Sequence, residues 1–165
     1  MPYMANTIIS GGQTGAERAA LDWAIAHCLP HGGWCPKGRV ARDGPLPPYY
    51  KLRETPSSSV VEKMDWNVRD SEATIVFTLS PVASGGSLRT AFFAGLYGRH
   101  ILHLHPGIPN LPRLLATFAA RVQKLNVTGS TETEEPGIYM WVGRTLNLAI
   151  LPPQFELERR ARRSF

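Results

Sequence analysis

Apolar residues along the chain form short runs that alternate with helical repeats. Five runs predict strands, at about 7–10, 32–35, 73–79, 101–105 and 125–129. After each strand, apolar residues recur every three to four positions, which predicts helices at about 15–27, 57–70, 88–98, 110–122 and 136–150. This alternation is typical of three layers around a parallel sheet. We therefore predict an α/β fold, with a single three-layer domain and a mainly parallel sheet of about five strands.

The first strand ends in a glycine turn, SGGQTG at 10–15, and a helix follows it. Glycine permits positive φ, and a helix N-terminus presents unpaired N–H groups together with the positive end of its dipole, which suits a phosphate or another anion. The spacing matches neither the dinucleotide pattern G-x-G-x-x-G nor the Walker pattern. A simpler interpretation, compatible with the first, is a turn in which Thr14 and Glu17 form a capping box and Arg18 pairs with Asp22.

The same plan recurs after the third predicted strand, where SGGS at 84–87 precedes another helix. Two such units at adjacent strand ends would direct two helix N-termini at one crevice, where open α/β sheets bind ligands. Ser87 and Thr90 would add hydroxyl groups there, although helix capping explains them equally well. Asn126 and Thr128 are placed to direct polar groups to the end of the fifth strand.

The segment 36–56 contains five prolines and shows no sustained periodicity. A segment of this length is usually functional or disordered. Its charges are mainly basic, and Lys37 and Arg39 come just after a strand end. We predict that they close over a ligand anion, while scattered surface charge remains the alternative for each of them.

Composition limits the class of protein. The chain has 165 residues, of which 43% are hydrophobic and 19% charged, which fits one globular domain. Four arginines in the last seven residues supply most of the net charge of +5. We therefore expect a ligand-binding domain at 1–152, a basic tail at 153–165 and no general nucleic-acid-binding face. The absence of a long apolar run and of a leader leads us to expect a cytoplasmic protein without membrane association.

Metal binding is not predicted. Cys28 and Cys35 do not form a C-x-x-C pair, and we interpret them as reduced structural thiols. His103 and His105 share a strand face, but no Asp, Glu or Cys nearby completes a ligand set.

Several segments, taken in order, carry a family resemblance: SGGQTGAERAALDWAI, HGGWCPKGR with DGPLP downstream, LRETPS, WNVRDS, SGGS, and LNVTG with PGIY. The series resembles the molybdenum cofactor carrier proteins, which are Rossmann-like relatives of the YpsA and LOG proteins, and covers about 7–150. The resemblance implies a Rossmann-like fold that binds, protects and delivers molybdenum cofactor, a pterin dithiolene with a terminal phosphate. It also implies a homo-oligomer, a dimer or tetramer, and partners among apo-molybdoenzymes or cofactor-synthesis proteins.

The predicted cofactor-binding residues come from the glycine turns with the first residues of their helices, the basic segment and the fifth strand. N–H groups of the turns would bind the phosphate, and the basic side chains would screen phosphate or molybdate oxygens. The full set is Gly11, Gly12, Gln13, Thr14, Gly15, Arg18, Lys37, Gly38, Arg39, Ser84, Gly85, Gly86, Ser87, Arg89, Thr90, Asn126, Thr128 and Gly129. The family often has Asn-Val-Ala-Gly-Pro-Arg after the fifth strand. Here 126–131 reads NVTGST, so that arginine is missing.

Two other functions use the same turns. One is a module that senses a nucleotide or an ADP-ribose-like ligand. The other is a nucleotide phosphoribohydrolase like the LOG proteins, which depend on a glutamate shortly after the second glycine turn. Apolar residues fill 91–94 here, and Glu17 is the only nearby carboxylate. Since no nucleophile and base can be assigned together, we expect a carrier rather than an enzyme.

Overall fold

A computed structural model describes residues 7–83, 85–120 and 122–150. Ser84 and the predicted basic tail therefore lie outside the described residues. The elements in chain order are β1 (Thr7–Ile9), α1 (Ala16–Ala26), β2 (His31–Gly32), β3 (Trp34–Cys35), β4 (Val40–Ala41), β5 (Gly44–Pro45), β6 (Arg53–Glu54), α2 (Val60–Arg69), β7 (Ala73–Phe77), α3 (Gly86–Leu96), β8 (His100–Leu104), α4 (Leu111–Ala119), β9 (Lys124–Gly129) and α5 (Ile138–Ala149).

The central sheet has the strand order β2-β1-β9-β7-β8, and every neighbouring pair is parallel. β9, the last of these strands along the chain, thus lies between β1 and β7. In its register Asn126 faces Ile9 on one side, and Gly129 faces Phe77 on the other. The prediction that the two glycine turns follow adjacent strands is wrong, because β9 separates them. Both turns nevertheless lie at the carboxyl edge of the sheet.

Helices cover both faces of the sheet. On one face α1 packs against α5 and α5 against α4, and the larger hydrophobic core lies between these helices and the sheet. On the other face α2 packs against α3 around Val68, Phe93 and Ala94. The α/β class and the three-layer, Rossmann-like arrangement are therefore confirmed. No helix within the described ranges is long and apolar enough to span a membrane.

The second predicted strand, 32–35, is divided at Gly33, which has a φ of 128°. His31–Gly32 pairs with β1 in the central sheet, whereas Trp34–Cys35 pairs with β6 in a separate small sheet. Within 36–56, β4 and β5 form a short hairpin. This segment has a hydrophobic cluster of its own with α1, made of Leu21, Cys35, Ala41, Leu46, Tyr50 and Leu52. The proline-containing segment is thus a packed subdomain and not an irregular loop.

Candidate functional site

An open cavity of about 180 Å³, which we call the cleft, lies at the carboxyl edge of the sheet. It collects predicted residues from both glycine turns and from the end of β9, together with Glu17, which was not in the predicted set. The predicted ones are Gln13, Gly86, Ser87, Thr90, Thr128 and Gly129. A second cavity of about 220 Å³ adjoins the cleft and extends to Pro36, Val40 and Ser58. Gln13, Arg42, Val60 and Lys63 line both cavities and so form the boundary between them. We call the two cavities together the groove.

A buried ion pair forms part of the cleft wall. The Lys63 Nζ lies 2.9 Å from Glu17 Oε1 and 2.8 Å from Glu17 Oε2, and the two residues are only 3% and 5% exposed. The Glu17 carboxylate also accepts hydrogen bonds from the Gln13 backbone N–H and from the Thr128 hydroxyl. Three donor groups therefore make four hydrogen bonds to it, one for each lone-pair position of a carboxylate.

This carboxylate occupies the first glycine turn, where an external anion was predicted to bind. The predicted capping box of Thr14 and Glu17 is wrong: the N-cap of α1 is Gly15, and it is not capped by a side chain. The Thr14 Oγ1 is buried without a partner in the described part of the chain. Gly11 lacks a side chain because a Cβ there would lie 2.6 Å from the Lys63 Nζ. The turn is built around its own ion pair.

Arg18 and Gly12 also hold the first turn together. The predicted pair of Arg18 with Asp22 is wrong, because the guanidinium binds both oxygens of Asp43 at 2.8 and 3.0 Å and donates from Nε to the Gly12 carbonyl. The hydrogen bonds from Arg18 hold the pKa of the Asp43 carboxyl below its ordinary value. A Cβ on Gly12 would lie 2.9 Å from the side chain of Leu46, so this glycine is needed for packing.

Asp22, the partner first predicted for Arg18, is engaged elsewhere. It accepts hydrogen bonds from the hydroxyl groups of Tyr50 and Tyr139. Burial and then this hydrogen bond raise the pKa of both phenols, that of Tyr139 to about 12. Asp22 therefore joins the proline-containing segment to α5 and takes no part in the cleft.

The structure gives Arg39 a different role from the predicted one of closing over an anion. Its guanidinium donates to four backbone carbonyls, those of Leu46, Pro47, Tyr50 and Leu52, at 2.9–3.1 Å. These bonds fix the fold of the segment and use four of the five guanidinium N–H groups. The Gly38 N–H donates to Glu54, and Lys37 is exposed. Neither Lys37 nor Arg39 lines the two described cavities.

Arg42 is the residue of this segment that reaches the groove, and sequence reasoning did not select it. Its backbone N–H donates to the Gln13 Oε1 at 2.8 Å, which ties the hairpin to the first glycine turn. Arg42 lines both cavities. Only its position in a basic segment pointed to it, and the same signal favoured Lys37 and Arg39.

The second glycine turn is open as far as the described residues show, a range that does not include Ser84. Gly85, with φ 49°, is the N-cap of α3, and no described side chain caps the helix. Within the described residues, no acceptor binds the backbone N–H groups of Gly86, Ser87 and Leu88. The Thr90 hydroxyl donates to the Gly86 carbonyl and so stays within the helix. This helix end carries the unpaired donors and the positive dipole end that an anion site needs.

Two further carboxylates, of Glu135 and Glu132, accept hydrogen bonds from other backbone N–H groups at this edge of the sheet. Glu135 accepts from the N–H groups of Leu79 and Ser80 and from the Ser130 hydroxyl. Burial alone would raise the pKa of Glu135, but these hydrogen bonds outweigh it and lower the pKa. Glu132 accepts from the backbone N–H groups of Gly137 and Tyr139 at the start of α5. The protein's own carboxylates thus occupy the neighbouring sites, and the start of α3 stays open.

The remaining predicted residues have distinct positions. Thr128 and Gly129 line the cleft, whereas Arg89 is exposed outside it. Asn126 is buried in the sheet, where its Nδ2 donates to the Thr74 hydroxyl, and its Oδ1 has no partner among the described residues. No group of three His, Cys, Asp or Glu in the described ranges is placed to hold a metal ion.

The comparisons with known proteins agree with this geometry. Residues 8–150 match the model of the circularly permutated YpsA SLOG family. The chain belongs to this family. A crystal structure from Syntrophus aciditrophicus SB, of a protein named as a candidate molybdenum carrier, is 37% identical to the chain with a TM-score of 0.83. The match covers 90% of this chain and 97% of that one. No functionally curated protein is similar enough in sequence to match.

The family match runs from β1 to the end of α5, so it includes both glycine turns and β9 between them. At the position of the missing arginine after β9 this chain has Thr131, and acidic residues follow it. Glu132 caps α5, while Glu134 lines the cleft and accepts from the N–H and hydroxyl of Thr131. On this side the cleft therefore offers carboxylates and hydroxyls in place of a cation.

Proposed function

We propose that this protein binds molybdenum cofactor in the cleft and holds it for delivery to a recipient protein. Support comes from the structural neighbour named as a candidate molybdenum carrier, which the chain matches over nearly its full length. A terminal phosphate and a fused heterocycle require a groove with an anion site at one end. The cleft contains the start of α3, and the second cavity adjoins it, which supports this assignment.

The observation that carries the proposal is the open start of α3 within the cleft. The phosphate accepts hydrogen bonds from the N–H groups of Gly86 and Ser87, and the Ser87 hydroxyl adds a further donor. The rest of the cofactor extends past Arg42 into the second cavity, along Pro36 and Val40. In this arrangement the first glycine turn shapes the groove and does not bind the phosphate.

Release of the bound ligand from freshly purified protein tests the proposal. Anaerobically released small molecules are identified by mass spectrometry, and molybdenum is quantified in the same sample. Molybdopterin, with or without the metal, is the expected result. Protein that contains no pterin, and does not take it up when molybdopterin is added, would contradict the proposal.

A second candidate, a sensor of nucleotides or ADP-ribose-like ligands, is supported by the same two-cavity groove. A base in the second cavity and phosphates at α3 would use the same contacts. The mass spectrum separates the candidates, since a nucleotide in place of a pterin favours the sensor. A LOG-type hydrolase has less support, because the Glu17 carboxylate already accepts four hydrogen bonds and is poorly suited to act as a base.

The proposal includes a homo-oligomer and an apo-molybdoenzyme or cofactor-synthesis protein as recipient. Sedimentation of the purified protein measures the first of these, with a dimer or tetramer expected. Transfer of the released cofactor to an apo-molybdoenzyme measures the second. A monomer that supports no transfer would limit the proposal to cofactor binding.

A further inference from the structure

A lysine inside the groove has no role in the function proposed so far. Lys63 is 3% exposed, yet it lines both the cleft and the adjoining cavity. It projects from α2 and was not selected from the sequence, because it lies within a helical repeat with no glycine turn beside it. Lysines are almost never this deeply buried unless they are paired.

We propose that Lys63 is a second anion-binding group of this protein, which contacts a phosphate or molybdate-type oxyanion in the middle of the groove. Glu17 is then a positioning residue that holds the ammonium against the groove wall. The inference rests on the proposed function only in placing the ligand in the cleft, and it does not require that the ligand be a pterin.

The hydrogen bonding of Lys63 supports this role. An ammonium carries three N–H donors, and the described contacts of Lys63 use two of them, both on the Glu17 carboxylate. One donor is left, on a side chain that borders both cavities. The Glu17 carboxylate, by contrast, already accepts four hydrogen bonds from three donor groups, so it holds the lysine without offering an acceptor to a ligand.

The cost of the pair also favours a role beyond stability. Removing two charges from water is costly, and apolar replacements of buried ion pairs are often neutral or stabilising. The backbone also accommodates the pair, since Gly11 has no room for a Cβ beside Lys63 and Glu17. The Lys63–Glu17 pair is therefore costly, constrains the turn and borders the groove. A role in ligand binding explains these features better than a role in stability.

Arg42 is a second basic residue at the same point. It lines both cavities together with Lys63, and its side chain forms no ion pair with another described residue, whereas the charge of Lys63 is balanced by Glu17. A ligand that spans the groove therefore meets unpaired N–H groups at α3 and, at the boundary of the two cavities, the remaining Lys63 donor together with Arg42. This arrangement favours a ligand with two separate anionic groups over one with a single anionic group.

The test compares a neutral pair with the charged one. In the double variant Glu17→Gln/Lys63→Met, both charges are removed together, and the amide can still accept from the Gln13 N–H. Inorganic pyrophosphate and molybdate are titrated separately by calorimetry at two salt concentrations. Lys51→Met is the matched control, because Lys51 is exposed and lines neither cavity. Circular dichroism and the thermal midpoint establish that each variant is folded.

We expect the folded double variant to bind at least one oxyanion roughly tenfold more weakly than the wild type, with a smaller salt dependence, which is the loss of one charge-assisted hydrogen bond. The control binds like the wild type. A loss for pyrophosphate indicates that Lys63 contacts a phosphate, and a loss for molybdate indicates contact with an oxomolybdenum group. Wild-type affinity in the folded double variant, or no oxyanion binding by the wild type, would overturn the inference.

The two proposals can fail separately. A protein that contains no pterin, but loses oxyanion affinity in the double variant, contradicts the cofactor proposal and supports the role of Lys63. A protein that releases molybdopterin, and whose folded double variant binds oxyanions as well as the wild type, supports the cofactor proposal and reduces the ion pair to a structural role.

Discussion

At the start of α1 the glycine turn closes around the carboxylate of Glu17, whereas at the start of α3 the described residues place no acceptor at the helix end. Both turns follow a strand of the same parallel sheet, both end with a glycine of positive φ as N-cap, and both line the cleft. Their sequences alone suggested the same anion chemistry. In the structure, the Glu17 carboxylate occupies the turn at α1, whereas no described residue occupies the turn at α3. We call them the filled turn and the open turn.

The difference comes from residues outside the turns. Lys63 on α2 and Thr128 on β9 complete the environment of the Glu17 carboxylate, and neither is near it in sequence. The open turn lacks such a carboxylate because Ser87 stands two residues after the N-cap glycine of α3, where α1 has Glu17. A glycine turn before a helix thus supplies donors, but the surrounding side chains decide whether a ligand can use them.

The largest expected effect tests the filled turn. Lys63→Met leaves the buried Glu17 carboxylate without its ammonium, so we expect the free energy of unfolding to fall by about 3–5 kcal/mol. Urea denaturation measures it. The double variant with Glu17→Gln is the control and should recover most of the loss. If Lys63→Met alone lowers the free energy of unfolding by less than about 1 kcal/mol, the Glu17 carboxylate is not buried as the structure describes.

A matched pair of alanine substitutions compares the two N-caps. Both Gly15→Ala and Gly85→Ala impose strain at positive φ, which costs about 1–3 kcal/mol. At Gly15 the new Cβ would also lie 2.5 Å from the Ser130 carbonyl oxygen, whereas at Gly85 nothing lies within 4 Å. We expect Gly15→Ala to cost about 1–3 kcal/mol more than Gly85→Ala by thermal unfolding. Equal losses would contradict the difference in packing.

A glutamate at the start of α3 tests the open turn. Ser87→Glu places a carboxylate in the cleft, and we expect pyrophosphate affinity to fall at least about tenfold by calorimetry because like charges repel. Leu88→Glu is the control, since Leu88 is exposed and does not line the cleft. Both variants should be slightly more stable, by about 0.3–1 kcal/mol, because an acid favours a helix N-terminus. Equal affinity losses in both variants would place the anion elsewhere.

The smallest expected effect concerns pH and the hairpin that braces the filled turn. Because the folded-state pKa of Asp43 lies below its ordinary value of 3.8, the carboxylate contributes stability above that value, and the contribution is lost as the pH falls through the folded-state pKa. Asp43 is largely exposed, so Asp43→Asn should cost at most about 1 kcal/mol at pH 7. Thermal midpoints of both proteins should converge in acid. A difference that persists below about pH 2 would have another cause.

Local sequence patterns predicted most of the fold, because helical and strand periodicities depend on residues close together in the chain. The five central strands and five helices were found, with boundaries shifted by a few residues. The position of β9 between β1 and β7 was not predicted, because no local pattern in Lys124–Gly129 indicates which strands it pairs with. The two small sheets, β3 with β6 and β4 with β5, were missed because strands of two residues show no periodicity.

The site was predicted in part. Gln13, Gly86, Ser87 and Thr128 line the cleft as expected. Arg18 and Arg39 were placed beside an anion because of their charge, but a guanidinium is also the side chain best suited to bind several carbonyls or a carboxylate within the protein. Lys63 was missed for the opposite reason, because its helical surroundings gave no sign that it faces a groove.

The position of β9 also constrains how this protein is made. In the central sheet β1 is paired on one side with β2 and on the other with β9, where Thr7 lies opposite Lys124. On the ribosome, a nascent chain that ends before Lys124 therefore has no strand to place between β1 and β7, and each keeps an unpaired edge that can aggregate. Sheet completion is a late event that joins distant parts of the chain, so folding should be slow compared with that of proteins rich in local contacts.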